Sequence, residues 1–285
     1  MTPSRSRGIL TQGFVVQIVT LIVAVVGIGL LYRDYVRPAA REAEVNRQIL
    51  VRQGAEDAQS TQRSFVVIIK DYEQQACLTL MVWATFLLAF KLWLVARERK
   101  MLGREFVRLD LGQRILPEAA LDHSKEVQSQ IEGERSLSNK YLPAFVISAL
   151  QRFHATSSIQ DSSAAVQERS QLAADELDSD LSLVRYIAWA IPSVGFIGTV
   201  RGIGDALAQA DKALEGDLSG VTNSLGLAFN STLIALMLSI VLMFIMHILQ
   251  SRQENLIQDI QEYCRTKIVD LMKVPARDDA GASFI

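Results

Sequence analysis

Apolar residues in this chain come in blocks. Residues 14–32, 76–96 and 225–249 are nearly unbroken apolar runs. Each approaches the length of about 20 residues that a helix needs to cross a bilayer. Residues 187–208 make a fourth block, interrupted by Pro192, four glycines, Thr199, Arg201 and Asp205. The pattern predicts an all-α polytopic membrane protein with four transmembrane helices and a helical cytoplasmic domain.

Between the blocks, polar stretches keep a helical rhythm. Residues 33–75 are rich in Arg, Glu and Gln and read as helical extensions around a connector; the apolar run at 66–69 is far too short to span. Within 97–185, residues 142–150 form an apolar run, with Pro143 near its start, that reads as the packed heart of the region. Leu177, Leu181, Val184 and Ala188 recur at i, i+4, i+7 and i+11, the spacing of one helix face, so this helix is expected to run directly into the third span. The acidic cluster Asp175, Glu176, Asp178 and Asp180 lies mostly off that face and reads as a solvated surface. After the fourth block, Leu256, Ile260, Cys264, Ile268 and Leu271 repeat the stripe, predicting a helix packed on the 97–185 region. Residues 276–285 read as a frayed end.

Charge orients the spans. Arg97, Arg99, Lys100, Arg104 and Arg108 follow the second run, opposed only by Glu98 and Glu105. By the positive-inside rule that end is cytoplasmic. Lys91 can snorkel toward it, and Trp83 and Trp93 suit core and interfacial depth. Arg5 and Arg7 before the first run are balanced by Arg33 and Arg37 after it, so that helix is oriented by the second. The expected organisation starts with a cytoplasmic N-terminus (1–12), transmembrane helix 1 (13–32), a periplasmic connector (33–75) and transmembrane helix 2 (76–96). A cytoplasmic helical domain (97–185), transmembrane helix 3 (186–208), a periplasmic turn (209–224) and transmembrane helix 4 (225–250) follow. A cytoplasmic C-terminal helix and tail (251–285) completes a multi-pass chain with both termini inside.

Composition narrows the function. The chain is 49% hydrophobic with a net charge of −2, so nothing suggests nucleic-acid binding. Cys77 and Cys264 read as two unpaired thiols. The first run is longer than the apolar core of a signal peptide and is followed by no A-x-A-like site, so it reads as a retained anchor. His123, His154 and His247 are scattered without metal-ligand spacing. Gly202-Ile203-Gly204 sits inside a span rather than after a strand, and neither a phosphate loop nor a nucleophile elbow occurs. No enzyme activity, cofactor or metal is expected.

The third and fourth spans carry the unusual chemistry. Gly195, Gly198, Gly202 and Ala206 fall on one face of span three; Ser224, Ala228, Ser231, Ala235 and Ser239 fall on one face of span four. Faces without bulk let helices approach closely where no hydrophobic effect drives them together. Two readings follow: a packed hairpin within one subunit, or an oligomer around a shared axis, which the paired faces favour. Pro192 frees a backbone carbonyl and can bend its helix. Thr199, Thr232, Asn230 and Ser231 supply polar groups at membrane depth. Arg201 and Asp205, spaced i,i+4, can pair, either as an interfacial ion pair or as an ion vestibule. Asp205 is the only carboxylate in these two spans and lies toward the outer boundary, so the acid of any proton path is expected on another chain.

Pro192, Gly195, Gly198, Thr199, Val200 and Gly202 make a P-x-x-G-x-x-G-T-V-x-G pattern that resembles the second-helix motif of the MotA/TolQ/ExbB proton channel family. Residues 228–236, running from Ala228 through Thr232 and Ala235 to Leu236, are similar to that family's A-L-x-x-T-x-x-G-L segment. The resemblance covers about residues 160–250. It implies a bacterial inner-membrane homopentamer around a single-span partner of ExbD, TolR or MotB type, whose transmembrane Asp carries the ion. Thr199 and Thr232 match the two family threonines that line the channel beside that Asp. Ala235 stands where the family has glycine, Asn230 adds a polar group, and Arg201 places a charge where an apolar residue is common. The implied function is a stator-type subunit that couples proton or sodium flow to mechanical work. The alternative is a non-conducting four-span scaffold or sensor that binds partners through its cytoplasmic helices.

Overall fold

In a computed structural model the described residues are 5–52, 69–107, 113–134, 137 and 140–274. Nearly all of them are helical, and no strand occurs among them. The apolar residues 66–68 and the tail beyond Val274 lie outside the described residues. Four helical stretches are long and apolar enough to cross a membrane: Val15–Ala43, Tyr72–Gly103, Ile159–Leu207 and Ser219–Leu271. The chain is an all-α polytopic membrane protein, as its blocks predict. Its contacts divide it into two units.

The first unit comprises Met1–Phe90 and Ser182–His247. Helix α1 (Arg5–Leu31) is apolar on every side, and Val15, Val19, Ile22, Val23 and Val26 are each more than half exposed. A helix of that kind needs hydrocarbon around it. It passes through a π-helical turn, Tyr32–Val36, into α2 (Arg37–Arg52). Tyr32 is fully buried and its hydroxyl donates to the Ile69 carbonyl at 2.8 Å. Helix α3 (Tyr72–Arg99) is tied to α1 by Trp83, whose indole N–H donates to the Gln17 carbonyl at 3.1 Å. That bond satisfies the one polar atom of a ring otherwise suited to an apolar site.

Helix α7 (Ser182–Leu207) returns through a connector that holds the short α8 (Ala210–Leu214) and leads into α9 (Ser219–Lys267). Gly216 makes the turn at φ +97°, a left-handed conformation that costs glycine nothing. Asp217 then caps α9, accepting from the Ser219 backbone N–H at 3.0 Å and from its hydroxyl at 2.5 Å. Both bonds hold the exposed Asp217 carboxyl below its ordinary range.

The second unit comprises Lys91–Leu181 and Ile248–Ile285. Its helices are α4 (Pro117–Gly133), α5 (Tyr141–Thr156) and α6 (Ile159–Ser179), together with the last turns of α9. Leu142, Phe145, Val146, Ala149, Leu150 and Phe153 of α5 are all buried, so the run expected to be the heart of this region is its core. Pro143 sits in the first turn of α5, where its missing N–H would have no helical partner anyway. Leu256, Ile260, Cys264 and Ile268 are buried as well, and Gln261 donates to the Ser170 hydroxyl of α6 at 2.5 Å. The tail stripe therefore packs on this region as its spacing predicts. Both cysteines are buried free thiols.

One expectation needs correction. The helix of the acidic cluster does not run unbroken into the third span: a turn at Asp180–Leu181 ends α6 before α7 begins. The cluster itself is a solvated face as expected, with Asp175, Glu176, Asp178 and Asp180 all exposed, and from it Asp180 reaches the Lys91 ammonium at 3.0 Å.

A candidate ion-pathway site on helices α7 and α9

The small faces of α7 and α9 meet each other inside one chain. A side chain on Gly195 would collide with the Ala235 methyl, one on Gly198 would stand 2.9 Å from Ser231 Cβ, and one on Gly202 would stand 2.7 Å from Ala228 Cβ. All three distances are shorter than side-chain carbons tolerate, so glycine at these positions sets how closely the helices approach. This corrects the inference from small faces to an oligomer. Both faces are consumed by the hairpin, and the surface α7 leaves open is its opposite one, with Phe196, Ile197 and Val200 more than half exposed. Ala235 provides the methyl that meets Gly195, so the residue departing from the family's glycine is part of the same contact.

Pro192 has the effect its type dictates. It cannot donate to the carbonyl four residues earlier, which is Ala188's. The Ser239 hydroxyl of α9 donates to that carbonyl instead, at 2.9 Å, and is itself buried. A freed backbone acceptor and a buried hydroxyl thus satisfy one another in a region without water.

One turn further along, three hydroxyls gather between the helices. Thr232 Oγ1 reaches the Gly195 carbonyl at 3.1 Å, and Ser231 Oγ donates to the Ala228 carbonyl at 2.8 Å. Thr199 Oγ1 lies within 3.3 Å of the Ala228 carbonyl and 3.4 Å of Gly195's, and it contacts the Thr232 hydroxyl directly. Ser231 is buried, whereas Thr199 and Thr232 are half-buried. The two threonines named from the sequence are therefore neighbours across the seam, each able to turn its hydroxyl from a backbone carbonyl to an incoming group. Asn230 is half-exposed and makes no hydrogen bond to α7 among the described residues.

Near the connector end of the hairpin lies a small pocket of about 20 Å³, enough for a single water. Asp71, Glu73, Arg201, Asp205, Ser224 and Ser231 line it. Here the expected i,i+4 pair of Arg201 with Asp205 does not form. Arg201 Nη1 bonds Glu73 Oε1 at 3.0 Å instead, and that carboxylate is only 11% exposed. The i,i+4 spacing puts Asp205 on the same side of the helix, but α3 brings in a carboxylate that is better buried and therefore less screened.

Glu73 escaped the sequence reading. It stands just ahead of an apolar run, where a carboxylate in the first turn of a helix is ordinary. The signal that could have raised it is Arg201 itself: a guanidinium inside a span needs a counter-charge, and residues 225–250 of α9 hold no carboxylate.

Residues 137–262 match the MotA/TolQ/ExbB proton channel family. The match holds α7 and the whole hydroxyl cluster, while Glu73 lies outside it. No curated protein and no solved structure gives a significant match.

Proposed function

We propose that this chain is the channel-forming, stator-type subunit of an inner-membrane motor, working with a single-span partner of ExbD, TolR or MotB type. In this reading five copies surround the partner, whose transmembrane Asp carries a proton or a sodium ion past Thr199 and Thr232. Both termini and the 97–185 region are cytoplasmic, and the α7–α9 connector is periplasmic. Ion flow supplies about 2.3 kcal/mol per charge per 100 mV, and that energy drives one set of subunits against the other.

The observation that carries the reading is the Thr199–Thr232–Ser231 cluster within the family-matched region. Hydroxyls suit a proton-carrying carboxylate. They hydrogen-bond either its charged or its neutral form and fix neither. Being half-buried, Thr199 and Thr232 can be reached by a group from outside the chain. The hydrogen bonds they make to Gly195 and Ala228 carbonyls satisfy them while no such group is present.

The test is proton or sodium flux in vesicles, with the single-span partner present or omitted. Flux should need both chains. Thr199→Ala and Thr232→Ala should each lower it by about ten- to a hundredfold, a hydroxyl contact to a charged group being worth about 1.5–3 kcal/mol. A partnered complex without flux, or one indifferent to both substitutions, would favour the non-conducting scaffold.

A further inference from the structure

Glu73 is poorly explained by packing. Its Oε1 is held by Arg201, but Oε2 is buried and has no hydrogen-bond partner among the described residues. A buried acceptor left unmatched is destabilising, and more so when charged. Nor does the ion pair account for it, because apolar residues of similar volume commonly replace such pairs without loss. A group left unmatched in this way calls for an explanation, a part in the chemistry being one.

The surroundings of Oε2 suggest the use. The water-sized pocket beside it is lined also by Asp71 and Asp205. Glu73 Cγ lies 3.3 Å from the place a Gly198 side chain would occupy, so the bare backbone at 198 is what admits the carboxylate to the α7–α9 seam. Ser231 sits at the same point, lining the pocket and contacting the vacant side of Gly198. It is also the first hydroxyl of the cluster that continues to Thr199 and Thr232. Glu73 and Ser231 thus line one pocket and flank the same bare glycine, and Ser231 and Thr232 both donate to the Gly195 carbonyl. The charged groups facing Glu73 are Arg201 and Asp205 from α7 and Asp71 from the segment ahead of α3. Cys77 lies one turn along its own helix, and α9 presents only Ser224, Leu227 and Ser231 to the pocket.

We propose that Glu73 is a proton-exchanging residue supplied by this chain itself, standing at the pocket end of the ion pathway and positioned by Arg201. Oε2 takes a proton from water in the pocket and gives the same proton up to water along the Ser231–Thr232–Thr199 strip. The carboxylate is regenerated, and Arg201 keeps its charge throughout. The proposal rests on the channel reading above and adds to it: Glu73 lies outside the family-matched residues, so it is an addition to that region.

Two measurements on vesicles holding the chain in its native complex test this. Dicyclohexylcarbodiimide adds to protonated carboxyls in apolar surroundings, and labelled Glu73 can be read by peptide mass. Glu73 should be labelled, and labelled more in Arg201→Gln, where its ion-pair partner is gone. Glu73 unlabelled at every pH overturns the proposal and leaves the channel reading intact.

Proton flux is the second measurement. Glu73→Gln should lower it by at least about a hundredfold, the smaller end of what a proton-transfer group supplies. Glu73→Asp should keep a measurable flux with a displaced pH profile, which keeps the test open if the Gln variant fails to assemble. Glu73→Gln/Arg201→Gln should conduct as poorly as Glu73→Gln alone. Recovery of wild-type flux in that double variant would mean that the ion pair only holds helices together, and the proposal falls. Normal flux in Glu73→Gln beside low flux in Thr199→Ala also removes Glu73 while sparing the channel. Absent flux in the unmodified complex removes both.

Discussion

Replacing Gly195 by alanine tests the α7–α9 seam quantitatively. The new methyl would collide with Ala235 Cβ and stand 3.2 Å from the Ser231 carbonyl oxygen and 3.3 Å from Thr232 Cα. These are backbone atoms and a Cβ, so none can swing aside. The helices must part by roughly 1 Å to restore ordinary carbon contacts, and a gap of that size forfeits a quarter to a half of each attraction along the seam. Overpacking of this kind costs about 1–3 kcal/mol, while exchanging glycine for alanine in a helix returns about 0.8–1.0 kcal/mol. The expected net loss is about 0–2 kcal/mol on those two figures, against a gain at an unhindered glycine. Gly204 on the same helix is the control, because nothing lies within 4 Å of where its side chain would be. Gly204→Ala should therefore gain stability. Adding Ala235→Gly to Gly195→Ala should restore most of the loss, since it removes the colliding methyl. The assay is reversible unfolding of the purified chain in mixed micelles with increasing SDS. A Gly195→Ala variant as stable as Gly204→Ala would refute the close-packed seam.

Two further outcomes concern the second unit. Glu98 and Lys140 pair at 2.9 Å with side chains only 8% and 7% exposed, and Glu98 also accepts from the Tyr141 backbone N–H at 3.2 Å. Glu98→Gln should lower stability by about 3–5 kcal/mol, and Glu98→Gln/Lys140→Met by much less, because the single change strands a buried charge; denaturant unfolding distinguishes them. Burial, followed by the nearby charges of Glu176, Asp180 and Glu98, raises the Tyr141 hydroxyl well above its ordinary pKa of 10.0. Because the folded value is the higher one, its contribution is fully present below about pH 10 and is lost as pH rises toward the folded value. Tyr141→Phe should flatten that alkaline decline in a pH series of melting temperatures, and an unchanged slope would count against it.

The four spans were legible in the chain because hydrocarbon imposes a length and a composition that a run of residues either meets or fails. Gly195, Gly198 and Gly202 were legible as a packing face, since helical spacing alone puts them on one side. Pro192 announced a freed carbonyl by its chemistry. Its partner was a different matter: Ser239 lies 47 positions on and could be matched to the Ala188 carbonyl only once α9 lay against α7. The same limit misassigned Arg201. Local spacing offered Asp205, and only the packing of α3 beside the hairpin revealed that Glu73 was nearer and better buried. The small faces on α7 and α9 suggested contact without saying with what, and the tertiary structure turned them toward each other within one chain. Periodicity determines which side of a helix is smooth or polar, because it follows from 3.6 residues per turn. Which helix meets that side depends on the packing of segments distant in sequence, and there Glu73 gained its place beside the threonines.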